Sequence, residues 1–196
     1  MKKIISVLVL ASLTLASFSS LAKVYESSPR SKVRSFGDYA QIINPLIAGG
    51  IASQEKGFGH FAIIYAQSMS ATQLVKHVSK QTKWRPSKRP SIKGKTDRYE
   101  GMPSGHTNSA WIGASYVRVF SEDYKYMCIP LYISAAITGY SRVQARRHTT
   151  SQVVWGAIFA EATAELNKKL NWSTNYRSVN IIGGESGGSL LFEFKL

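Results

Sequence analysis

The sequence predicts an all-α protein, a bundle of about five to six helices, with a short β-hairpin at the C-terminus. Segments of helical length carry apolar and small residues at the spacing typical of packed helices. They cover residues 39–53, 58–80, 106–120, 124–140 and 149–170. Strand-like alternation is confined to 178–182 and 189–196, which flank the glycine-rich run GGESGG and predict the hairpin.

The chain of 196 residues has the length of one domain with a sizeable core. A signal peptide is predicted over 1–22, because Lys2 and Lys3 precede the apolar stretch 4–16 and small residues lead to a cleavage point. That stretch is short for a membrane-spanning helix of about 20 residues, which disfavours a retained anchor. We therefore predict an exported, periplasmic protein, with a helical domain over 23–175 and a tail over 176–196.

The apolar segments of the domain do not make convincing membrane spans. Pro45 interrupts the first, Arg118 lies within the third and Arg142 ends the fourth. A soluble or membrane-surface bundle is therefore preferred to an integral one. Small residues such as those of 47–52 also pack well within a bilayer, so the integral alternative stays open.

The balance of charges predicts an anionic partner. The chain carries 25 Lys and Arg against 11 Asp and Glu, a formal net charge of +14. A phosphorylated substrate and an anionic membrane surface fit this charge, whereas export and the lack of a nucleic-acid-binding motif argue against nucleic acid. Cys128 is the only cysteine, so no internal disulfide forms, and its apolar surroundings predict a buried residue.

The segment GMPSGHT over 101–107 lies where a basic loop meets a predicted helix. Pro103 and Ser104 suit the start of a helix, and Gly105 lets the backbone approach a ligand closely. Free N–H groups and the positive end of the helix dipole favour phosphate there. An ordinary capped helix with a solvated histidine is the alternative for this segment alone.

A second pattern follows, in which Ser141-Arg142 precedes His148 at the start of the next helix. Arginine binds phosphate oxygens with a planar fork, and a neutral imidazole can attack phosphorus. With His106, the chain then has two histidines for two roles, a nucleophile and an acid that protonates the leaving oxygen.

A third pattern is basic. Lys76 on the second helix precedes a polar loop over 83–100 that contains Arg85-Pro86 and Arg89-Pro90. These cations can neutralise phosphate oxygens, although a charge run alone is typical of a solvated face.

Together the three patterns resemble the motifs of the type 2 phosphatidic acid phosphatase superfamily: Lys76 followed by Arg-Pro, PSGH over 103–106, and Ser-Arg followed by His148. The resemblance covers 76–156, and the segment from FGDY at 36–39 to NPL at 44–46 is similar to the first helix of bacterial members. It implies an all-helical core and a phosphatase that needs neither a metal nor another cofactor.

The resemblance also implies roles for single residues. His148 is the nucleophile that forms a phosphohistidine, and His106 is the general acid. The phosphoryl oxygens are bound by Ser104, by the backbone of Gly105, and by Lys76, Arg142 and one loop arginine.

Two departures from the family pattern concern the loop arginine and the partner of the nucleophile. The family spacing places the arginine at Lys83, so a small insertion makes Arg85 the predicted ligand and Arg89 the reserve. Most members carry an aspartate four residues after the nucleophile, where this chain has Gln152. Gln152 can orient His148 but cannot neutralise its charge. The pattern HTxSQV is similar to dolichyl-diphosphatase-type members and hints at a lipid diphosphate.

The leading hypothesis is an exported phosphatase that acts on a lipid phosphate or diphosphate, such as phosphatidate, an isoprenyl diphosphate or a lipid A phosphate. One alternative is a soluble nonspecific acid phosphatase of the same superfamily. Another is an inactive protein that binds phosphate or an anionic membrane, motivated by Gln152 and the irregular first motif. A serine hydrolase using Ser104 is disfavoured, because the chain lacks the sequence Gly-x-Ser-x-Gly around it.

Overall fold

The computed structural model describes residues 29–91, 96–170, 176–184 and 187–194, which form a helical bundle followed by a two-stranded hairpin. The helices are α1 (Pro29–Glu55), α2 (Phe58–Thr82), α3 (Gly105–Phe120), α4 (Cys128–Gln144) and α5 (Thr150–Leu170). Short 3-10 helices occupy Arg85–Ser87 and Lys125–Met127. The predicted all-α bundle is confirmed, and the predicted signal peptide lies outside the described residues.

Helix α3 is the central helix of the bundle, because it packs against each of the other four helices. Its residues from Thr107 to Val117 are almost all buried, and Ile112 and Tyr116 are in the core. Apolar side chains of α1 and α2, including Ile51 and Phe61, complete that core. The start of α3, which carries the Pro-Ser-Gly-His segment, is therefore surrounded by the other helices.

Helix α1 continues through Pro45, which we expected to interrupt it. Proline lacks the N–H group that would bond to the carbonyl four residues earlier, here that of Gln41. The Ser109 hydroxyl donates to this carbonyl instead, at 2.6 Å. Beside it, the Asn44 amide donates to two backbone carbonyls of neighbouring helices, at 3.1 and 3.0 Å. Hydrogen bonds from neighbouring helices therefore support α1 through the proline.

Helix α4 is longer at its C-terminus than predicted, so that Ser141 and Arg142 lie on the helix and are both buried. His148 follows in the short connection to α5. The arginine and the histidine of the third motif are thus held at the same end of the bundle. Cys128, which we predicted to be buried, is only half-buried because it begins α4 at the edge of the core.

The C-terminal strands β1 (Tyr176–Gly184) and β2 (Gly187–Phe194) pair antiparallel, with Gly184 opposite Gly187. The pairing is regular apart from one irregularity between Tyr176 and Ser178. The hairpin lies where the glycine-rich run predicted a reversal of the chain.

Among the described helices, none is both long enough and apolar enough to cross a membrane. Large apolar side chains are nevertheless exposed along α4 at Ile129, Ile133, Ile137 and Tyr140. A spacing of three or four residues places them on one face of the helix. We call this exposed face the α4 apolar stripe.

Candidate active site

The Pro-Ser-Gly-His segment forms the start of α3. Ser104 is the N-cap residue, but its side chain makes no capping hydrogen bond. The first bond within the helix runs from the Asn108 N–H to the Ser104 carbonyl at 2.9 Å, so the N–H groups of 105–107 have no acceptor inside the helix. The Ser104 hydroxyl accepts a bond from the Thr107 hydroxyl at 3.0 Å and keeps its own hydrogen to donate. This helix end is suited to binding an anion.

Gly105 lies directly beside Lys76 of α2. A Cβ atom at Gly105 would lie 3.2 Å from the Lys76 Nζ, so a larger side chain would press against the ammonium group. Ser104 itself is fully buried, and its N–H donates to the Gln152 carbonyl at 2.9 Å. The first two motifs therefore meet at the start of α3, where a backbone carbonyl of α5 accepts the hydrogen bond from Ser104.

His148 is nearly buried, with 4% of its surface exposed, and its ring is held by two acceptors. Nδ1 lies 2.8 Å from the Gly101 carbonyl oxygen and 3.2 Å from the Gln152 Oε1. Both oxygens only accept hydrogen bonds, so Nδ1 carries the hydrogen. The lone pair of the neutral ring is then on Nε2, which is the nitrogen left for attack on phosphorus.

Positive charge surrounds His148. Burial, with the charges of Arg89 and Lys76, lowers the pKa of His148 to about 3. The imidazole is therefore neutral near pH 7, which is the form that a nucleophile requires. Burial and the charge of Arg89 also lower the pKa of Lys76 to about 8, although Glu100 opposes the shift. The charge of Lys76 acts on His106 as well, so Lys76 is a neighbour of both histidines.

The loop arginine beside His148 is Arg89, the reserve candidate, rather than Arg85. Arg85 lies on the 3-10 helix with an exposed side chain, and the loop charge that acts on His148 is that of Arg89. The Arg89 side chain is about four-fifths buried and forms an ion pair with Glu100 at 3.4 Å. The structure thus favours Arg89 because the loop turns Arg85 outward before returning to the site.

His106 and Arg142 lie on either side of Asp38, a residue of α1. The Asp38 Oδ1 accepts a hydrogen bond from the Arg142 Nη1 at 2.6 Å and lies 3.3 Å from the His106 Nε2. Burial and the charge of Arg142 lower the pKa of His106 to about 4, with Lys76 acting in the same direction and Asp38 opposing it. A bound phosphate dianion would raise this pKa again.

Two further contacts hold Arg142 in place. Its Nε donates to the Ser141 hydroxyl at 3.1 Å, and its Nη2 donates to the Arg34 carbonyl at 2.9 Å. Gly37 packs so closely on Ser141 that a Cβ atom there would overlap the hydroxyl oxygen. Helix α1 is thereby pressed against the third motif.

Gln152 has a second role besides orienting His148. Its Nε2 donates to the carbonyls of Pro86 and Lys88, at 3.1 and 2.8 Å, so it also holds the loop of the first motif. The residue is fully buried. An aspartate, as most members of the resembled family carry, could not make these two donations. A Cβ atom at Gly101 would lie 2.6 Å from the Gln152 Oε1, so glycine is needed beside it.

The sequence patterns did not indicate a role for Asp38 or for the donor groups of Gln152. Asp38 belongs to the FGDY segment that we noted only as similar to family members. The available signal was a lone carboxylate in a helix start whose other charged residues are all basic. Two other histidines lie away from the site: His60 is buried against the Tyr116 hydroxyl at 2.9 Å, and His77 is exposed.

A helical bundle with a helix end suited to anions, and with two histidines and several cations around it, is typical of a phosphate-handling protein. The chain belongs to the PAP2 superfamily, which matches residues 58–174, and as a member it is a phosphatase.

Comparison with solved structures agrees with this fold. The chain is similar to a transmembrane PAP2-type phosphatidylglycerolphosphate phosphatase from Bacillus subtilis, with 20% sequence identity and a TM-score of 0.51. The match covers 86% of this chain and 93% of that one. At this identity the likeness concerns the fold. No curated protein sequence matches the chain.

Proposed function

We propose that this protein is a metal-independent phosphatase that forms a phosphohistidine at Nε2 of His148. The observation that carries the proposal is the hydrogen bond from the His148 Nδ1 to the Gly101 carbonyl, which leaves Nε2 as the free nucleophilic atom. Arg89 and Lys76 supply positive charge at the same place. A neutral imidazole beside two cations combines a nucleophile with a site for the phosphoryl oxygens.

In the first half-reaction, Nε2 of His148 attacks phosphorus while the bond to the leaving oxygen breaks. Lys76, Arg89 and the N–H groups at the start of α3 stabilise the charge on the phosphoryl oxygens of the transition state. His106 gives a proton to the leaving oxygen, which takes the electron pair of the broken bond. In the second half-reaction, a water oxygen attacks phosphorus, the bond from phosphorus to Nε2 breaks with its electron pair returning to Nε2, and His106 accepts the proton of that water.

The proposed substrate is a phosphate or diphosphate of a lipid. A groove of about 640 Å³ lies between α4 and α5, and Thr107 of α3 forms part of it. The same Thr107 side chain donates to Ser104 at the phosphate-binding helix end. The volume is within the usual range of about 300 to 1,000 Å³ for small-ligand pockets. Its lining is mainly apolar and includes Trp111, Ala135, Gly139, Val153 and Ile158. This supports placing a hydrocarbon tail there.

We propose that the exported protein works at an anionic membrane surface. The α4 apolar stripe supplies exposed side chains, and the positive net charge, +12 once Lys2 and Lys3 leave with the predicted signal peptide (14 − 2), supplies attraction to anionic headgroups. Co-sedimentation with phospholipid vesicles tests this. Binding is expected to be stronger to anionic than to neutral vesicles and to weaken when Ile133→Ser and Ile137→Ser are combined.

The phosphatase mechanism is tested by phosphate release in the presence of excess chelator. The substrates are phosphatidate, an isoprenyl diphosphate and a small aryl phosphate. We expect turnover by the wild type, none by His148→Ala, and near-normal turnover by His77→Ala, which removes an exposed histidine from α2.

Acid-labile, alkali-stable radiolabel on the protein after rapid denaturation would identify the phosphohistidine. Turnover that persists in His148→Ala contradicts the mechanism. Equal preference for the aryl ester and the lipids contradicts the proposed lipid substrate.

A further inference from the structure

A second cationic pocket adjoins the candidate active site. It has a volume of about 30 Å³, and arginines dominate its lining. They are Arg89, Arg98, Arg146 and Arg147. Arg89 is also the loop cation that acts on His148, and Arg147 immediately precedes His148 in the chain. The pocket therefore shares one wall with the site of phosphoryl transfer.

The carboxylates near this pocket do not neutralise it. Asp97 also lines the pocket but forms an ion pair with Lys88 at 2.8 Å. Glu100 forms ion pairs with both Arg89 and Arg98. Among the described residues, the four arginines and Lys88 thus give five cations against two carboxylates, an excess of three positive charges. Burial first, and then the charges of Arg98 and Arg147, lower the pKa of Arg89. An anion in the pocket would relieve this repulsion.

Two local features concern the arginines of this pocket. The Nε of Arg89 is buried and has no hydrogen-bond acceptor among the described residues, although Glu100 lies near it. Arg146 has a φ of 51°, in the left-handed region that residues other than glycine rarely adopt. This conformation ends α4, because the N–H groups of Arg146 and Arg147 donate to the carbonyls of Val143 and Arg142 at 2.9 and 3.0 Å.

We infer that this pocket binds the second phosphate group of a diphosphate substrate, beside the phosphoryl group that His148 attacks. The inference rests on the proposed function and narrows its substrate class. The volume has room for a group of a few oxygen atoms but not for a sugar or a ring. Guanidinium groups bind phosphate oxygens with two parallel hydrogen bonds, which makes arginine the suitable residue type.

The chemistry places the leaving group in the pocket. Nε2 of His148 forms a bond to the terminal phosphorus, and the bond from that phosphorus to the bridging oxygen breaks. The bridging oxygen takes the electron pair and becomes part of the lipid monophosphate, whose charge grows as it leaves. Arg89 and Arg147 lie where they stabilise that charge. Water then releases inorganic phosphate from His148.

The kinetic test compares the diphosphate and the monophosphate of one isoprenyl alcohol. Arg147→Gln removes one charge, and Arg146→Gly removes another while glycine accepts the left-handed backbone without strain. Each variant is expected to lower kcat/KM for the diphosphate about tenfold, the usual scale for losing a charged hydrogen bond, and to change that for the monophosphate less than about twofold. Lys125→Gln, which removes an exposed charge at the opposite end of α4, is the matched control.

A binding measurement tests the diphosphate pocket without depending on turnover. Calorimetric titration of the wild type with methylenediphosphonate and with inorganic phosphate separates a diphosphate site from a general phosphate site. We expect the diphosphonate to bind at least about tenfold more tightly, and Arg147→Gln to abolish that preference.

Equal binding of the two anions, or equal kinetic losses on both substrates, would overturn the diphosphate pocket while leaving the histidine mechanism intact. Absence of all turnover in the wild type, with the diphosphonate preference preserved, would instead reject the proposed enzyme and keep the pocket.

Discussion

Asp38 and His106 form a contact between the first helix and the start of the central one, with 3.3 Å between the Oδ1 of the carboxylate and the Nε2 of the ring. An ionised carboxylate only accepts hydrogen bonds, so Nε2 carries the hydrogen. In the proposed mechanism, Nδ1 is then the atom that would exchange a proton with the leaving oxygen. Because Asp38 also opposes the lowering of the His106 pKa, it favours the protonated form that the proposed general acid needs.

Asp38→Asn is therefore expected to slow substrates with basic leaving groups most. An alkyl phosphate needs a proton on its leaving oxygen, whereas a nitrophenyl phosphate leaves without one. We expect kcat/KM to fall about tenfold or more for the alkyl ester and clearly less for the aryl ester. A general acid as a whole typically contributes a factor of about 10² to 10⁴ to the rate, and Asp38→Asn removes part of that contribution. The ratio of the two kcat/KM values is the measurement.

Asp38→Asn could also reduce turnover by loosening Arg142, which Asp38 binds. Two further variants distinguish this effect from one that acts through His106. Ser141→Ala removes another hydrogen bond of Arg142 and should lower turnover of both esters to the same degree. Adding His106→Ala to Asp38→Asn should cause little further loss than His106→Ala alone, because residues that act through each other are not additive. Fully additive losses would reject the role of Asp38.

Arg85 and Arg89 offer a matched pair, since each precedes a proline in the same loop. Arg89→Gln should lower kcat/KM at least about a hundredfold, because it removes a charge that is about four-fifths buried and lies next to His148. Arg85→Gln should lower it less than about threefold, because its side chain is exposed. Steady-state kinetics at fixed ionic strength checks both variants. If Arg85→Gln lowers kcat/KM more than Arg89→Gln does, Arg85 is the phosphate ligand, as the sequence predicted.

The helices were predictable because apolar and small residues repeat at helical spacing, and the predicted segments overlap every described helix. The predicted ends of the helices were less accurate than their positions. Pro45 lies inside α1 because Ser109, from another helix, takes the carbonyl that the proline leaves without a donor. Such compensation depends on tertiary packing and leaves no signal within the helix's own sequence.

The placement of candidate site residues was predictable where a motif kept them close together, as in the segment around Ser104 and His106. The loop was harder, since chain length alone does not tell whether Arg85 or Arg89 turns inward. Gln152 was interpreted as a weaker substitute for aspartate. Its two donations to the loop carbonyls explain why an amide suits this position, and they required the folded structure.

Replacing Gln152 by the aspartate of most relatives is expected to weaken this protein. Gln152→Asp places a carboxylate among the carbonyls of Pro86 and Lys88, where it cannot donate a hydrogen bond. Leaving such buried groups unpaired costs about 1–3 kcal/mol each. The free energy of unfolding, measured by urea denaturation at pH 7, should fall by at least about 2 kcal/mol, and turnover should fall with it.

Two comparisons accompany the Gln152 experiment. Gln152→Glu keeps the length of the side chain but replaces its N–H donors with a carboxylate, so a similar loss of stability is expected. Ser151→Ala changes an exposed neighbour on α5 and should stay within about 0.5 kcal/mol of the wild type. A Gln152→Asp protein that is as stable as the wild type and more active would show that the donations to the loop are dispensable.

The lowered pKa of Lys76 predicts where kcat/KM falls at alkaline pH. Its pKa is lowered to about 8, first by burial and then by the charge of Arg89. Lys76 is charged below this value and neutral above it, so phosphate binding weakens as the pH rises through about 8. The kcat/KM profile, which reports the free enzyme, should therefore fall above about pH 8.

Lys76→Arg distinguishes Lys76 from other groups that titrate in this range. A guanidinium stays charged beyond pH 12, so the alkaline limb of kcat/KM should move to higher pH even where the rate itself is lower. Lys80→Arg, an exposed position on the same helix, should leave the limb in place. Bound phosphate stabilises the charged ammonium, so the limb in kcat should lie above that in kcat/KM for the wild type. A limb that stays near pH 8 in Lys76→Arg would assign it to a different group.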